Sequence, residues 1–227
     1  MKRGYFITGT DTGVGKTLIA AALIHGFAAA GGRVVGMKPV AAGAELSDGQ
    51  WLNEDVSQLR AAANVDAPLA SVNPYVFAPP IAPHIAASQA GVVISLDRIK
   101  TAFADLAALA DVVVVEGAGG FLVPLNERQD MGDLAVRLDL PVILVVGMRL
   151  GCINHALLTV AAIESRGLPL AGWVANVVDA EMPYLEENLA ALQQRISAPH
   201  LGTVPHLADA DFRQAANYLQ PSLQLPG

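Results

Sequence analysis

The sequence predicts an α/β fold in which helices flank a parallel β-sheet, organised as a single domain over residues 1–227. Apolar runs of strand length alternate with longer segments rich in Ala and Leu, which is typical of βα units. The apolar runs are continuous rather than alternating, and this indicates strands that are buried on both faces. With 53% hydrophobic and 15% charged residues, the 227-residue chain also has the composition of a globular protein.

About six βα units are expected along the chain. The predicted strands cover residues 5–8, 34–37, 112–115, 142–146 and 170–176, with a weaker strand over 200–204. The predicted helices cover residues 17–30, 53–63, 96–110, 154–166 and 183–196. Residues 39–95 are the least regular part, because the five prolines between residues 68 and 83 mark turns or loops, and an excursion of this size usually covers a site. The tail after residue 219 carries no pattern and is expected to be poorly ordered.

Charge and cysteine content exclude several classes of function. The formal net charge of −7 lacks the basic surface that nucleic acid requires, so no nucleic-acid partner is expected. The mean hydropathy is +0.43, yet the apolar runs are far shorter than the roughly 20 residues of a membrane-spanning helix. The single cysteine, Cys152, and the lack of a signal-peptide core favour a cytoplasmic protein. The five histidines show no metal-ligand spacing.

The strongest local signal is a glycine-rich turn between the first strand and the first helix. It reads Gly9-Thr10-Asp11-Thr12-Gly13-Val14-Gly15-Lys16-Thr17. Backbone N–H groups at a helix N-terminus bind anions, the Lys16 ammonium suits the β- and γ-phosphates, and the Thr17 hydroxyl suits Mg²⁺. Five residues separate Gly9 from Gly15, one more than in the standard motif, so this is a variant phosphate-binding loop. The fold class is therefore refined to the P-loop NTPase type.

Three polar residues follow predicted strands or open a helix near the expected ligand edge of the sheet. Glu116 follows the strand over 112–115 and suits a metal ion bound to phosphates. Lys38 ends the second strand and would add a second cation for phosphoryl transfer. Asp55 begins a helix. Each residue also has a purely structural interpretation: a solvated strand-end carboxylate, a surface lysine and an acidic residue stabilised by the helix dipole.

Several motifs together resemble the dethiobiotin synthetase family from about residue 5 to residue 207. They are GTDTGVGKT at 9–17, KPV at 38–40, VNPYVF at 72–77, APHIA at 82–86, VEGAGG at 115–120, GCINHALLT at 151–159 and GWVAN at 172–176. The resemblance implies an ATP- and Mg²⁺-dependent ligase. It would close a cyclic urea from 7,8-diaminononanoate and CO₂ through a carbamate and a carbamic–phosphoric anhydride.

The resemblance also assigns site residues, which are expectations at this point. Lys16, Lys38 and Thr12 would be catalytic, and Thr17, Asp55 and Glu116 would hold Mg²⁺. The nucleotide would bind Gly13, Val14, Gly15, Lys16, Thr17, Leu18, Asp55, Glu116, Gly117, Ala118, Gly119, Asn176, Pro205, His206 and Leu207, the last four beside adenine. The substrate would meet Thr12, Lys38, Ala42 and, across a homodimer, Gly151, Cys152, Ile153 and Asn154 of the neighbouring subunit.

Two positions depart from the family pattern. Ala42 stands where many members carry Ser or Thr, so one side-chain hydrogen bond to the substrate is absent. Gly13 stands where relatives can carry Glu, which removes a negative charge near the phosphates and favours close backbone approach.

Two other functions compete with this interpretation. A partner-switching P-loop ATPase of the partitioning or signalling type would carry a signature lysine where this chain has Asp11. A glutamine-dependent amidating synthetase would need a further glutaminase domain, for which the chain leaves no room. The sequence therefore favours the synthetase.

Overall fold

The computed structural model describes residues 4–47 and 49–219, and the expected disorder after residue 219 lies outside the described residues. The strands are β1 (Gly4–Gly9), β2 (Val34–Met37), β3 (Val40–Ala42), β4 (Glu45–Ser47), β5 (Gln50–Leu52), β6 (Tyr75–Phe77), β7 (Val112–Gly120), β8 (Val142–Met148), β9 (Leu170–Val177) and β10 (His200–Val204). The helices are α1 (Lys16–Ala29), α2 (Glu54–Ala62), α3 (Leu69–Val72), α4 (Pro83–Gln89), α5 (Leu96–Leu109), α6 (Met131–Leu138), α7 (Cys152–Ser165), α8 (Leu185–Arg195) and α9 (Phe212–Ala216).

Six parallel strands form the central sheet in the order β10-β9-β8-β1-β7-β2. The strand that leads into the phosphate-binding loop, β1, is therefore internal, between β8 and β7. Because all six strands are parallel, their carboxyl ends share one edge, where open α/β sheets bind ligands. The predicted α/β class with a parallel sheet and flanking helices is confirmed.

The core lies on both faces of this sheet, as the continuous apolar runs predict. Along β1, Ile7 packs with α1 on one face, while Phe6 packs on the other face in the cluster that also holds buried residues of α5 and α6. A third cluster joins α7 and α8 to the β8 and β9 end and contains the fully buried Trp173. Helix α1 contacts α2 and α9 as well as the sheet, which explains its apolar sequence on nearly every side.

Several element boundaries differ from the sequence-based prediction, and two of these differences concern candidate site residues. Strand β7 continues through Gly120 instead of ending at Val115, because the glycine-rich residues that follow Glu116 stay beside β1, with Gly9 opposite Gly120 after a register shift. Helix α7 begins at Cys152 rather than Asn154, after Gly151 in a left-handed conformation (φ 94°). Glu116 therefore lies inside β7, opposite Ile7 of β1 and one residue beyond the last pair that β7 makes with β2.

The excursion over residues 39–95 contains small elements that the sequence pattern does not resolve. Strands β3 and β6 form a parallel pair, and β4 and β5 form an exposed antiparallel hairpin. Helix α2 begins where predicted, with the Asn53 side chain accepting a hydrogen bond from the N–H of Val56. No helix in the described part of the chain has both the length and the apolarity to cross a bilayer.

Candidate active site

A pocket of about 660 Å³ opens at the carboxyl edge of the sheet, where β1, β2 and β7 end. Many of the residues predicted to bind nucleotide, metal or substrate line it. These are Thr12, Gly13, Gly15, Lys16, Thr17, Lys38, Ala42, Asp55, Glu116, Ala118 and Gly119. Residues separated by about a hundred positions in sequence thus share one cavity.

The phosphate-binding loop owes its shape to two glycines in left-handed conformations. Gly13 has φ 74° and Gly15 has φ 84°, values that side-chain-bearing residues rarely adopt. A Cβ on Gly15 would lie only 2.2 Å from the Asn176 amide nitrogen, which donates a hydrogen bond to the Val14 carbonyl at 2.9 Å. Asn176 on β9 therefore packs tightly against the loop and helps to fix it.

Lys16 is the first residue of α1 and is buried, with 6% of its surface exposed. Its ammonium donates to the backbone carbonyl of Asp11 at 2.8 Å, and in the described residues no carboxylate lies within 4 Å of it. Burial, followed by the positive charge of Lys38, lowers the pKa of Lys16 from 10.5 to about 8. The cation is thus held without an anionic partner of its own, and a bound phosphate would supply one.

Lys38 is fixed from the backbone outward. It follows β2 directly, its N–H donates to the carbonyl of Val72 at 2.9 Å, and its own carbonyl accepts from the Asn73 amide at 2.6 Å. Asn73 also donates to the carbonyl of Tyr75, so the segment before β6 clamps the start of the excursion. This gives the VNPYVF motif a physical role, the placement of Lys38.

The Lys38 ammonium lies between two carboxylates. Its Nζ is 2.6 Å from Glu116 Oε1 and 2.7 Å from Asp55 Oδ2. Burial by itself would lower the pKa of Lys38, but Glu116 and Asp55 outweigh burial and raise it above the ordinary value. Burial likewise opposes ionisation of Asp55, yet Lys38 and the Thr17 hydroxyl outweigh it and lower the pKa of Asp55. Lys38 and Asp55 are therefore held in their charged forms.

The donor set around Thr17 fits a magnesium ion. Thr17 Oγ1 lies 2.8 Å from both Asp55 Oδ1 and Glu116 Oε1, although a hydroxyl has only one hydrogen to donate. Glu116 is 1% exposed, and its Oε2 is buried with no hydrogen-bond partner in the described part of the chain. Mg²⁺ is commonly held by one or two carboxylates together with substrate phosphates, which matches this arrangement. In keeping with so sparse a protein contribution, the described residues contain no cluster of three or more His, Cys, Asp or Glu suited to a metal.

The residues expected beside adenine lie next to the pocket rather than in its lining. Val204 at the end of β10 pairs with Asn176, so Pro205 to Leu207 leave the sheet on the Asn176 side of the loop. Val14 is buried, and Leu18 and Leu207 pack against the same core cluster. The structure thus places Asn176 against Gly15, and the Pro205–Leu207 segment begins directly after the residue that pairs with Asn176.

The segment from Gly151 to Asn154 does not line the pocket of its own chain. Gly151 and Asn154 are exposed, whereas the Cys152 side chain is 2% exposed and its N–H donates to the carbonyl of Arg149. The Cys152 side chain is therefore unavailable to a ligand in this conformation, and only its backbone could take part in the expected contact.

Sequence reasoning missed the apolar wall opposite the charged cluster. The wall consists of Val40, Pro80, Ile81, Ala82, Pro83 and Val123, with Ala42 among them. The connections over residues 79–83 are held by Gly43, whose N–H donates to the carbonyl of Pro79. The prolines in this turn could have indicated an irregular segment near the site. Its contact with β3, however, is a long-range contact that the local sequence does not encode.

Comparison with known proteins gives two consistent results. The family model described as "AAA domain" matches residues 3–214. The chain is 59% identical over 225 residues to the ATP-dependent dethiobiotin synthetase BioD of Aromatoleum aromaticum, covering 99% of this chain and 98% of that protein. It is 55% identical to the protein of the same name from Nitrosospira multiformis, covering 96% and 95% of the two chains.

The fold is also similar to solved structures at low sequence identity. The septum site-determining protein MinD from Pyrococcus horikoshii, solved as a complex with Mg-ADP, aligns with a TM-score of 0.59 at 15% identity, covering 95% of each chain. This likeness supports the P-loop NTPase type of fold and nothing further. On the family model and the two close relatives, the chain belongs to the ATP-dependent dethiobiotin synthetases, within the family that the AAA-domain model describes.

Proposed function

We propose that the chain converts 7,8-diaminononanoate, CO₂ and ATP into dethiobiotin, ADP and phosphate. The observation that carries this proposal is the convergence of Lys16, Lys38 and the oxygens of Thr17, Asp55 and Glu116 in one pocket of a chain with this ancestry. Such a set serves ATP chemistry that joins two anions, because both anions need neutralisation before they can meet.

The nucleotide phosphates are assigned to the loop from Gly13 to Thr17. Its backbone N–H groups, together with the N-terminus of α1, would hold the oxygens, and the Lys16 ammonium would leave the Asp11 carbonyl for a phosphate. Thr17, Asp55 and Glu116 would hold Mg²⁺, which when bound neutralises charge on the β- and γ-phosphate oxygens. Leu18, Gly117 to Gly119, Asn176 and Pro205 to Leu207 remain the proposed contacts to the rest of the nucleotide.

The reaction needs little covalent help from the protein. One amine of the substrate attacks CO₂ and, after losing a proton, forms a carbamate. A carbamate oxygen attacks the γ-phosphorus, ADP leaves, and a carbamic–phosphoric anhydride results. The second amine then attacks the carbonyl carbon and releases phosphate as the urea ring closes. Thr12 and Lys38 are the proposed neighbours of the carbamate, with Lys38 countering its charge.

The substrate end of the pocket has a mixed character that suits a diamine on an alkyl chain. Ala42 lies 11 residues before Asn53, whose amide donates to the Ala42 carbonyl at 3.3 Å, so the backbone there is held although no hydroxyl is present. The apolar wall beyond Ala42 would contact the methylene groups of the substrate.

We further propose a homodimer in which Gly151 to Asn154 of the neighbouring subunit receive the substrate carboxylate. Leu150 is 92% exposed and Leu158 on α7 is 63% exposed, so a large exposed apolar side chain stands on each side of this segment in the sequence. Exposed apolar surface of this kind marks interaction sites. The N-terminus of α7, which lies between these two leucines and begins after the exposed Gly151, would offer N–H groups to an anion from the partner.

Diamine-dependent turnover tests the activity. Purified protein is incubated with ATP, Mg²⁺ and bicarbonate, with and without 7,8-diaminononanoate, and phosphate and dethiobiotin are measured together. The proposal expects one phosphate for each dethiobiotin and little phosphate without the diamine. ATP hydrolysis that ignores the diamine and gives no dethiobiotin would instead support a partner-switching ATPase, a function that the close relatives and Asp11 disfavour.

Subunit mixing tests the shared site. Inactive Lys16→Ala and Asn154→Ala proteins are mixed under conditions that exchange subunits, with exchange verified through different tags. A mixed two-fold dimer places both lesions in one site and leaves the other intact, so about a quarter of all sites should recover. No recovery after verified exchange would refute sharing and leave the P-loop assignment untouched. A cytoplasmic location is proposed along with this function and would be tested by fractionation.

A further inference from the structure

Asp11 is the one acidic residue of the phosphate-binding loop, and the proposed reaction gives it no role. A carboxylate in this loop is unfavourable in principle, because the loop has to receive a highly charged triphosphate. Asp11 is nevertheless close to the expected phosphate position, since its carbonyl oxygen accepts from the Lys16 ammonium at 2.8 Å. Its negative charge therefore needs a counter-charge.

That counter-charge comes from Arg149, which follows β8. Arg149 Nη2 lies 2.6 Å from Asp11 Oδ2, and the other carboxylate oxygen, Oδ1, accepts from the N–H of Thr12 at 2.7 Å. Both carboxylate oxygens are thus engaged. Each side chain is partly exposed, 42% for Arg149 and 49% for Asp11, so the pair adds little to folding stability.

We propose that Arg149 is a positioning residue for nucleotide binding, acting through Asp11 by neutralising its carboxylate and fixing the loop residue that holds Lys16 before ATP arrives. The inference rests on ATP binding at residues 13–17, as the proposed function has it. The loop is anchored to β8 beside this pair, because the N–H of Thr10 donates to the carbonyl of Val145. Arg149 thereby joins the next residue of the loop, Asp11, to the segment that directly follows β8.

Without Arg149, the Asp11 charge would face the triphosphate uncompensated. The Arg149→Met variant is expected to bind the non-hydrolysable analogue β,γ-imido-ATP with Mg²⁺ about three- to tenfold more weakly than wild type, as one exposed charge allows. The loss should shrink as salt is raised, because salt screens charges at partly exposed positions. A defect of folding or packing would not respond to salt in this way.

A double-mutant cycle shows whether Arg149 acts through Asp11. Asp11→Asn keeps an oxygen for the Thr12 N–H and removes the charge, so it should bind the analogue at least as tightly as wild type. In the Asp11→Asn background, Arg149→Met should cost less than about twofold. An equal loss in both backgrounds would overturn the proposal, since Arg149 would then act on the nucleotide or the fold directly.

Arg137 provides a matched control. It pairs with Asp97 on the surface through two nitrogens, with exposures of 48% and 75%, and neither residue lines the pocket. Arg137→Met should leave analogue binding unchanged. Unchanged binding in Arg149→Met would refute the positioning role, whereas failure of the wild type itself to bind the analogue would refute the proposed function instead.

Discussion

The two lysines of the site occupy neighbouring but opposite surroundings. Lys38 lies between two carboxylates, within 2.7 Å of each, and these raise its pKa. Among the described residues, Lys16 has only the neutral carbonyl oxygen of Asp11 as the partner of its ammonium, and burial lowers its pKa to about 8. The two lysines therefore have different roles within one pocket. Lys38 holds Asp55 and Glu116 together through ion pairs, whereas Lys16 is placed to pair with an anionic ligand.

Folding stability should respond to the two lysines in opposite directions. Lys38→Met leaves Glu116 buried without its cation, and breaking a buried pair typically costs about 3–5 kcal/mol. Lys16→Met removes a buried charge that is disfavoured at pH 7, so the gain should be on the order of 3 kcal/mol at most, from the pKa difference. Urea unfolding of both variants at pH 7 measures this contrast. A similar loss in the free energy of unfolding in both variants would contradict the expected difference between the two lysines.

Turnover should fall in both variants. Each lysine stabilises charge that develops during phosphoryl transfer, and removing one such group typically lowers kcat about 10²- to 10³-fold. The exposed Lys100 on α5 serves as the control, because Lys100→Met removes the same charge far from the pocket and should leave kcat unchanged. Near-normal kcat at saturating ATP and diamine in either site variant would show that its lysine is dispensable.

The Mg²⁺ dependence of activity should test the role of Asp55 and Glu116, the two carboxylates beside Lys38. Glu116→Gln and Asp55→Asn each remove a charge proposed to act on Mg²⁺, so the Mg²⁺ concentration for half-maximal activity should rise about tenfold or more. Metal-free nucleotide binding should change less. Identical Mg²⁺ titrations of wild type and both variants would show that these carboxylates serve the fold only.

The pH dependence of stability should isolate Lys16. Its folded pKa of about 8 lies below the unfolded value of 10.5, so between these values the unfolded chain holds a proton that the folded chain has lost. The free energy of unfolding attributable to Lys16 therefore rises with pH in this window, by up to about 1 kcal/mol per unit. The wild-type minus Lys16→Met difference in urea unfolding at several pH values measures it. A flat difference would contradict the lowered pKa.

The sequence could predict those parts of the site that depend on patterns among neighbouring residues. The loop from Gly9 to Thr17 and the long apolar strands carry local patterns, and the parallel sheet follows from them. Glu116 and Lys38 could be placed near one edge because each closes or follows a strand run. Their contact, however, depends on β2 and β7 being neighbours, with Met37 opposite Val115.

The remaining parts depend on long-range contacts that no local pattern encodes. Asp55 alone looks like an ordinary helix-start residue, and only the fold brings it to Lys38, 17 positions earlier. The apolar wall requires the turn over residues 79–83 to pack on β3, and Arg149 reaches Asp11 across 138 residues. Short strands such as β3 and β6 lack enough residues to show a period.

The incoming triphosphate is expected to supply the anion that Lys16 lacks, and the number of protons taken up on binding tests this expectation. At about pH 8.5 Lys16 is largely neutral, so binding of β,γ-imido-ATP with Mg²⁺ should raise its pKa and take up between about half a proton and one proton. Calorimetric titration in buffers of different ionisation enthalpy counts these protons, with Lys16→Met measured at saturating analogue for comparison. Proton uptake is expected in the wild type and is expected to vanish in the variant. Equal proton uptake in both proteins, or none in the wild type, would contradict it.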